Sequence, residues 1–495
     1  MGQKLFVYQY LFFACLDIIP FVVADGTTWY IRPIHDTPYN KMFRTKVDLD
    51  CEIGNPRHRF LEGACVEKIE RNLSTVKGGT YKIDLSFLET SVPTNKDAIE
   101  SEGARNDEGT NNAGDEDKNV AKKMSVKVAP DADEIEFELN HNSMNNNSSN
   151  DTIWEGTEIV PYGFLPGTAN FVKASDGYVS GNINSIHREA VYAITTRMDG
   201  NYVEVIPYGA FPADHDVRSS RNHIWKFKSA KSGADSRIDN RRNRILKRYN
   251  MRRKAYEINE YDEKCPTNVI DIMVAYTEKA MCLDAQQLHP CNKSHSGTIE
   301  SRIVLGISQI NQAFKTSGTN TKLRLVKTLM IDHSEKDDWT TILQKMAARL
   351  FPRNFYAARK KFGADLVHMI LAKNDFCGYS FNSVIRKNAY SLSSLKCSTG
   401  QYSMAHEIGH NIGCGHDVEN ASESSRYAHG YRDPKKKFRS IMAYNCNGKD
   451  CGRVQMFSTP DKLYNGEKIG TRRANNAMQI QKNTKRISNF FICNP

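Results

Sequence analysis

His406-Glu407-Ile408-Gly409-His410-Asn411-Ile412-Gly413-Cys414-Gly415-His416-Asp417 is the stretch on which the reading of this chain turns; it has the form H-E-x-x-H-x-x-G-x-x-H-D. On a helix, residues four apart share a face, so His406 and His410 present two imidazoles to one ion. Glu407 sits on the same turn, close enough to hold a water beside the metal without ligating it. Gly413 lets the chain leave the helix in a conformation closed to residues with side chains. That bend returns His416 as a third ligand. Three protein ligands leave one coordination position open, the mark of a catalytic zinc rather than a structural one. A closed structural site would need a fourth ligand, and Cys414 lies among the histidines at a spacing that zinc knuckles do not use. The chemistry implied is hydrolysis by a metal-activated water, with Glu407 as general base.

Downstream stands Ser440-Ile441-Met442-Ala443-Tyr444. Together with the long zinc motif, Met442 resembles the Met-turn beneath the metal in metzincin proteases. Asp417, directly after the third histidine, resembles the reprolysin (adamalysin) branch. Ser-x-Met-x-Tyr is closer to the astacin-like form, in which the tyrosine approaches the metal, so Tyr444 is a candidate auxiliary ligand or transition-state donor. The resemblance covers roughly the last half of the chain. It implies an α/β (α+β) catalytic domain, with a twisted mixed sheet above the cleft, the active-site helix, and a smaller subdomain below. It implies a zinc metalloendopeptidase acting on proteins and peptides, and a structural hydrogen bond for Asp417. It also implies an edge strand near Gly378–Asn382 that pairs with extended substrate, and a specificity pocket lined by about Val454–Ser458. Nothing in the sequence indicates a calcium site.

Periodicity supports an α/β order over residues 255–495. Val269–Tyr276 reads as a buried strand. Ile303, Ile307, Ile310 and Phe314 share one face of a helix over Ile299–Phe314. Lys322–Ile331 and Ala364–Leu371 read as strands, Trp339–Leu350 as a helix, and Ala477–Phe491 as a C-terminal helix. The zinc helix is predicted over Tyr402–Ile412. His368, alone in an apolar strand, reads as a core histidine.

A chain of 495 residues suggests two folded parts plus linkers. Residues 1–24 have the pattern of a secretory signal: Lys4, an apolar run to Val23, and small residues at Val22-Val23-Ala24. No later segment is long and apolar enough to span a bilayer, so a secreted, extracellular protein is expected. Residues 25–254 read as a propeptide. Within it, 93–151 is polar, acidic and Asn-rich and is expected to lack order. Trp154–Pro207 alternates in short strands punctuated by Asp176-Gly177 and Asp199-Gly200, which predicts a small β-rich unit. Residues 241–254 form a basic connector, in which Arg244, Arg248 and Arg253 are candidate maturation sites for a proprotein convertase.

Twelve cysteines fit an oxidising compartment. Cys15 lies in the signal, which leaves eleven; short-range pairs are plausible for Cys51/Cys65, Cys282/Cys291, Cys377/Cys397 and Cys446/Cys451, leaving Cys265, Cys414 and Cys493 unassigned. Asn72, Asn146, Asn147, Asn150, Asn292 and Asn420 begin N-x-S/T sequons, candidate glycosylation sites in a secreted chain. No cysteine lies between Cys65 and Cys265, and neither Cys51 nor Cys65 sits in a recognisable motif for a propeptide thiol that blocks the zinc.

The net charge is +11, essentially all of it carried from residue 255 onward, where 34 Lys and Arg face 22 Asp and Glu. Arg359-Lys360-Lys361 and Lys435-Lys436-Lys437 are local clusters that can meet acidic glycans or cell surfaces. No nucleic-acid motif accompanies them. The rival to an enzyme is a secreted zinc-fold protein that acts by docking on such surfaces. Loss of Glu407 or of a histidine would favour it, and all four residues are present.

Overall fold

The computed structural model describes residues 78–85, 88, 122–127, 134–143, 151–212, 267–421, 426–447 and 450–491, and the backbone of three strands nearer the start of the chain. Cys51, Cys65, Cys265, Cys493, Asn72, Asn146, Asn147, Asn150, Arg244, Arg248 and Arg253 lie outside the described residues. The chain divides into two compact units, Met1–Thr75 and Val76–Pro495. In the first, β1 (Ile19–Val22), β2 (Thr28–Ile31) and β3 (Thr45–Val47) pair antiparallel; β1 falls within the stretch read as a secretory signal.

The second unit opens with an eight-stranded antiparallel sheet. Its strands are β4 (Gly79–Lys82), β5 (Lys122–Val126), β6 (Ile135–Ser143), β7 (Thr152–Glu158), β8 (Thr168–Lys173), β9 (Val179–Ser185), β10 (Ala190–Arg197) and β11 (Gly200–Pro207). The order is β4-β11-β10-β9-β8-β7-β6-β5, so β5 to β11 run as a meander and β4 pairs beside β11. Gly177, at φ +89°, makes the turn between β8 and β9 that a side chain would strain. Strands β5 and β6 lie inside residues 93–151, which corrects the expectation that this stretch lacks order. Met124, Val126, Ile135, Phe137 and Leu139 bury every second side chain there. The alternation is short and set in acidic, Asn-rich sequence, so composition outweighed it.

The peptidase-like part carries β12 (Val269–Thr277), α1 (Glu278–Asp284), α2 (Ser296–Thr316), β13 (Lys322–Ile331), α3 (Trp339–Ala347), α4 (Arg353–Lys361), β14 (Leu366–Leu371), β15 (Gly378–Ser380), β16 (Tyr390–Ser394), α5 (Ser403–Asn411) and α6 (Asn476–Ile487). The sheet order is β13-β12-β14-β16-β15, parallel except for the antiparallel edge strand β15. This mixed, helix-covered sheet fits the α/β catalytic domain that the resemblance implies. The interior strand β12 is apolar on both faces because helices cover both. Ile270, Ile272 and Val274 pack toward α2 and α5. Met273 and Ala275 pack on the opposite side, with Trp339, Ile342 and Phe355 from α3 and α4.

Helices α1, α3 and α6 start on side-chain caps: Thr277, Asp338 and Asn475 accept from the backbone N–H of Ala280, Thr341 and Met478. Helices α1 and α4 and strand β16 were not foreseen. The basic motif Arg359-Lys360-Lys361 ends α4, but Arg359 is buried and donates to the carbonyls of Ala364 and Asp365. Lys435 and Lys437 both reach Glu467. These clusters therefore present less free positive charge than the sequence implies.

The eight-stranded sheet lies along α2. Ile153 and Val172 close on Leu305, and a polar seam runs beside them. Ser180 Oγ is 2.8 Å from Ser301 Oγ, Asn170 Nδ2 donates to Gln455 Oε1 at 3.1 Å, and Arg302 donates to Thr195 Oγ1 at 2.9 Å. A Cβ on Gly452 would stand 2.2 Å from Ile186, and one on Gly400 would stand 2.6 Å from Val191. At both points the two parts are in contact closer than a side chain allows.

Candidate metal centre

Helix α5 packs on the sheet, fixed there by its own polar residue Asn411. Asn411 Nδ2 donates to the carbonyls of Tyr390 and Phe381, tying the helix to β16 and to the chain just past β15. This orients one face of α5, carrying His406 and His410, toward the cleft. After α5 the chain turns at Gly413, at φ +94°, where a Cβ would meet Gln479 and Val384 at 2.8 Å. Asn483 of α6 caps the helix end by donating to the Ile412 carbonyl at 2.7 Å. The reversed chain is pinned by Gly415 N–H to the Ala428 carbonyl at 2.7 Å. His416 is thereby returned to the other two histidines.

The three Nε2 atoms converge. His406 and His410 are 3.2 Å apart, His406 and His416 3.2 Å, and His410 and His416 2.9 Å. Among the described residues, these three form the one group of His, Cys, Asp or Glu side chains placed to share an ion. His406 Nδ1 lies 2.8 Å from the Ile441 carbonyl and His410 Nδ1 2.8 Å from the Cys414 carbonyl. A carbonyl accepts only, so Nδ1 carries the proton and Nε2 is a lone pair. The lone pairs of His406 and His410 brought this close repel unless a cation lies between them, and three converging imidazoles suit zinc. The donor set therefore fits the metal that the motif implies.

Glu407 is 6% exposed. Its Oε2 accepts from Ser380 Oγ at 2.6 Å, and Gly378 leaves room for it, since a Cβ there would stand 2.6 Å from the Glu407 carboxylate. Both residues belong to β15, so the edge strand sets the position of the candidate base. Met442 is fully buried under α5, and a Cβ on Gly409 would be 2.5 Å from its sulfur. The glycine between the two helical histidines thus accepts the methionine from below.

Asp417 binds the third-ligand loop to the turn beneath it. It accepts from Tyr444 N–H at 3.0 Å and from Asn420 Nδ2 at 2.8 Å, and it pairs with Arg432 at 3.1 Å. The Tyr444 ring lies 4.1 Å, centroid to centroid, from the His416 ring. Cys414 contributes its carbonyl to the centre and not its thiol. The sulfur is buried near the Asn476 carbonyl, and burial pushes its pKa up. Disulfides join Cys282–Cys291, Cys377–Cys397 and Cys446–Cys451. Asn292 is exposed at its sequon, whereas Asn420 is half-buried with its amide on Asp417.

The segment expected to line the specificity pocket is packed inside the fold. Residues 454–458 are all buried, with Phe457 packed on Phe314 and Ser458 donating to the His429 carbonyl. A pocket of about 450 Å³ opens instead beside the Met-turn. Gln401, Arg439, Tyr444 and Cys451 form one wall, Cys377 at the start of β15 another, and Tyr208 to Pro212 of the N-terminal sheet a third. Sequence reasoning missed Ser380, Asn411, Arg432 and Asn483 at this centre. Each is a single polar residue in a strand, loop or helix, at a position that no motif specifies.

Residues 266–458 match the family model Reprolysin_5, described as Metallo-peptidase family M12. The chain is 30% identical over 200 residues to the peptidyl-Asp metalloendopeptidase of Stenotrophomonas maltophilia strain K279a, covering 39% of this chain and 48% of that protein. It is 28% identical over 197 residues to the enzyme of the same name from Xanthomonas campestris, covering 39% and 47%. With the one from Pseudomonas aeruginosa it shares 31% identity over 231 residues, covering 40% and 35%. The chain thus spans about half or less of the length of these relatives, and the resemblance is one of a metzincin-type metallopeptidase region, residues 266–458, at the centre of which the three histidines stand.

Proposed function

We propose that the protein is a secreted, zinc-dependent metalloendopeptidase, made as a zymogen, that hydrolyses peptide bonds in proteins with a preference for bonds at aspartate. The observation that carries the proposal is the convergence of three histidine Nε2 atoms beside a buried Glu407 held by the edge strand. The aspartate preference rests on the names of the relatives.

His406, His410 and His416 would hold the zinc. When bound, zinc polarises the scissile carbonyl and makes water a usable nucleophile near neutral pH. The chain's own residues do the rest. Glu407 takes the proton of the attacking water on its carboxylate and passes it to the leaving nitrogen. Ser380, donating to the other carboxylate oxygen, keeps the base turned to the cleft. Strand β15 offers its open edge to an extended substrate. Met442 supports the ligand helix from below, while Gly413 and Asp417 shape the third-ligand loop. Tyr444, stacked on His416, is the candidate auxiliary donor.

The zymogen reading draws on the N-terminal sheet. Its last residues, Tyr208 to Pro212, line the pocket beside the Met-turn, and the Pro212 carbonyl comes within 3.3 Å of Cys377 Sγ. Cleavage in the basic connector at Arg244, Arg248 or Arg253 by a convertase would free that segment. Among the described residues no helix is long and apolar enough to cross a membrane.

The test is cleavage of a peptide library by the processed protein, read by mass spectrometry, with a zinc chelator and Glu407→Ala as controls. Cleavage lost in both controls supports the proposal. No cleavage by a processed, zinc-loaded protein overturns it and favours a docking protein.

A further inference from the structure

We infer that the N-terminal eight-stranded sheet is a lasting part of the peptidase, not a segment shed on maturation, and that it holds the loop from which the zinc helix starts; the inference rests on the metalloendopeptidase reading for the role of that helix. Residues 400–402 lead directly into α5, and the sheet acts on each of them. A Cβ on Gly400 would stand 2.6 Å from Val191 of β10, and Asn184 Nδ2 of β9 lies 3.4 Å from the Gly400 carbonyl. The same Nδ2 donates to the Arg453 carbonyl at 3.0 Å, and Arg453 Nη1 donates to the Gln401 carbonyl at 2.8 Å. The Tyr402 hydroxyl lies 2.6 Å from Thr168 Oγ1 of β8.

Tyr402 carries the mechanical link. Its φ is +52°, in the left-handed region that a residue with a side chain occupies only where its surroundings over-determine it. Its side chain does not cap α5 but runs, buried, to the sheet. Its carbonyl accepts from the N–H of His406, the first of the three histidines, at 2.9 Å. One residue thus joins Thr168 to the start of the ligand helix, and the sheet supplies the anchor that the strained backbone needs.

The contact extends well beyond this loop. Helix α2 is buried on two sides. Ile303, Ile307, Ile310 and Phe314 pack in the core with β12. Thr298, Ser301, Leu305 and Ser308, at helical spacing, meet Thr196, Ser180, Ile153 and Glu155 of the N-terminal sheet. Leu165 and Ile186, from the segments after β7 and β9, pack with Phe438, Val454, Met456 and Ile469. Polar bonds across such a face exchange with water at little net cost, so they fix its register more than they retain it. The apolar clusters decide retention, because shedding the sheet would lay Leu305, Val454, Met456 and Ile469 open to water. The connector cut then loosens the tail at Pro212, beside Cys377, and leaves the sheet in place.

The test cuts the full-length chain in its basic connector and follows both pieces by size-exclusion chromatography at submicromolar concentration, with intact-mass detection. One peak holding both pieces, at the volume of the uncut chain, is expected. Two peaks, or one of larger hydrodynamic size, overturn the inference. The second readout is the rate at which the cut protein loses zinc to a chelator. Thr168→Val keeps the shape and removes the hydroxyl, and is expected to speed that loss at least about threefold. Ser180→Ala removes a bond to α2 away from the loop and should leave the rate as in wild type. A folded Thr168→Val with the wild-type rate, or equal acceleration by both variants, overturns the inference. If Thr168→Val does not fold, Tyr402→Phe removes the same bond from the other side and carries the test. Wild type that binds no zinc overturns the metalloendopeptidase reading, whereas the elution result decides retention of the sheet without the metal.

Discussion

Ser380 Oγ donates to Glu407 Oε2 across 2.6 Å, joining the edge strand that would receive the substrate to the helix that carries the metal ligands. The bond ties two functions to one strand. A substrate pairing with β15 would sit in register with the residue that orients the base.

Removing that hydroxyl leaves Glu407 with one oxygen unanchored. Ser380→Ala is expected to lower kcat by about tenfold, since a hydrogen bond to a charged group contributes on the order of 1.5–3 kcal/mol and part of it is recovered by water. Zinc content should be unchanged, because Ser380 does not touch the histidines in any bond described above. Metal analysis beside steady-state kinetics checks both halves. A variant that loses zinc would place Ser380 in the metal site instead.

Stripping the metal should cost stability as well as activity. Three Nε2 atoms stand about 3 Å apart, and backbone hydrogen bonds that do not depend on the ion hold His406 and His410 with their lone pairs turned inward, so the apo site keeps its repulsion. A cation bound a thousandfold above its dissociation constant adds about 4 kcal/mol to the folded state. Chelation is therefore expected to lower the melting temperature, and added zinc to restore it. An unchanged melting temperature after verified zinc removal would argue that the three histidines are not the site.

Much of this centre was legible because its information is local. His406, Glu407, His410, Gly413 and His416 lie within eleven residues, and helical spacing alone brings two ligands together. The core strands β12 and β14 were equally plain, since continuous apolar runs have few other uses. The parts that were hidden depend on distance in the chain. Ser380 meets Glu407 across 27 residues, Asn483 meets Ile412 across 71, and Arg439 faces a pocket shared with Tyr208. Polar residues in loops carry no period. Val454–Ser458, where the sequence places the specificity pocket, is buried, with Phe457 packed on Phe314 and Gly409.

His368 should make the peptidase-like part acid-sensitive. Its ring nitrogens lie 2.9 Å from Ser391 Oγ and 2.8 Å from Ser393 Oγ in the middle of the sheet. Burial pushes its pKa down to about 3. In the unfolded chain it titrates near about 6.5. Between these values the unfolded state binds a proton that the folded state refuses. Stability from this group is complete above the unfolded value and falls as pH drops, by at most about 1.4 kcal/mol per pH unit. His368→Gln should flatten the decline between about pH 6 and pH 4. Denaturant midpoints across that range decide it, and equal slopes in both proteins would refute the assignment.

The sharpest structural test is at Gly413. Its φ of +94° is a conformation that residues with a Cβ rarely adopt, and a Cβ there would also stand 2.8 Å from Gln479 and Val384. The two effects differ in kind. Backbone strain costs about 1–3 kcal/mol wherever the neighbours lie. The contacts push α6 and the chain after β15 away from the helix end that Asn483 caps. Gly413→Ala is expected to destabilise the fold by at least about 2 kcal/mol and to weaken zinc binding, because His416 would no longer reach the other two ligands. Gly466, also at positive φ (+79°) but with nothing near its Cβ, provides the control. Gly466→Ala carries strain without collision and lies far along the chain from the histidines. If both variants lose similar stability and only Gly413→Ala loses zinc, the bend is what forms the third-ligand position. If Gly413→Ala binds zinc as wild type does, His416 reaches the site by another path and the argument from the motif fails at that glycine.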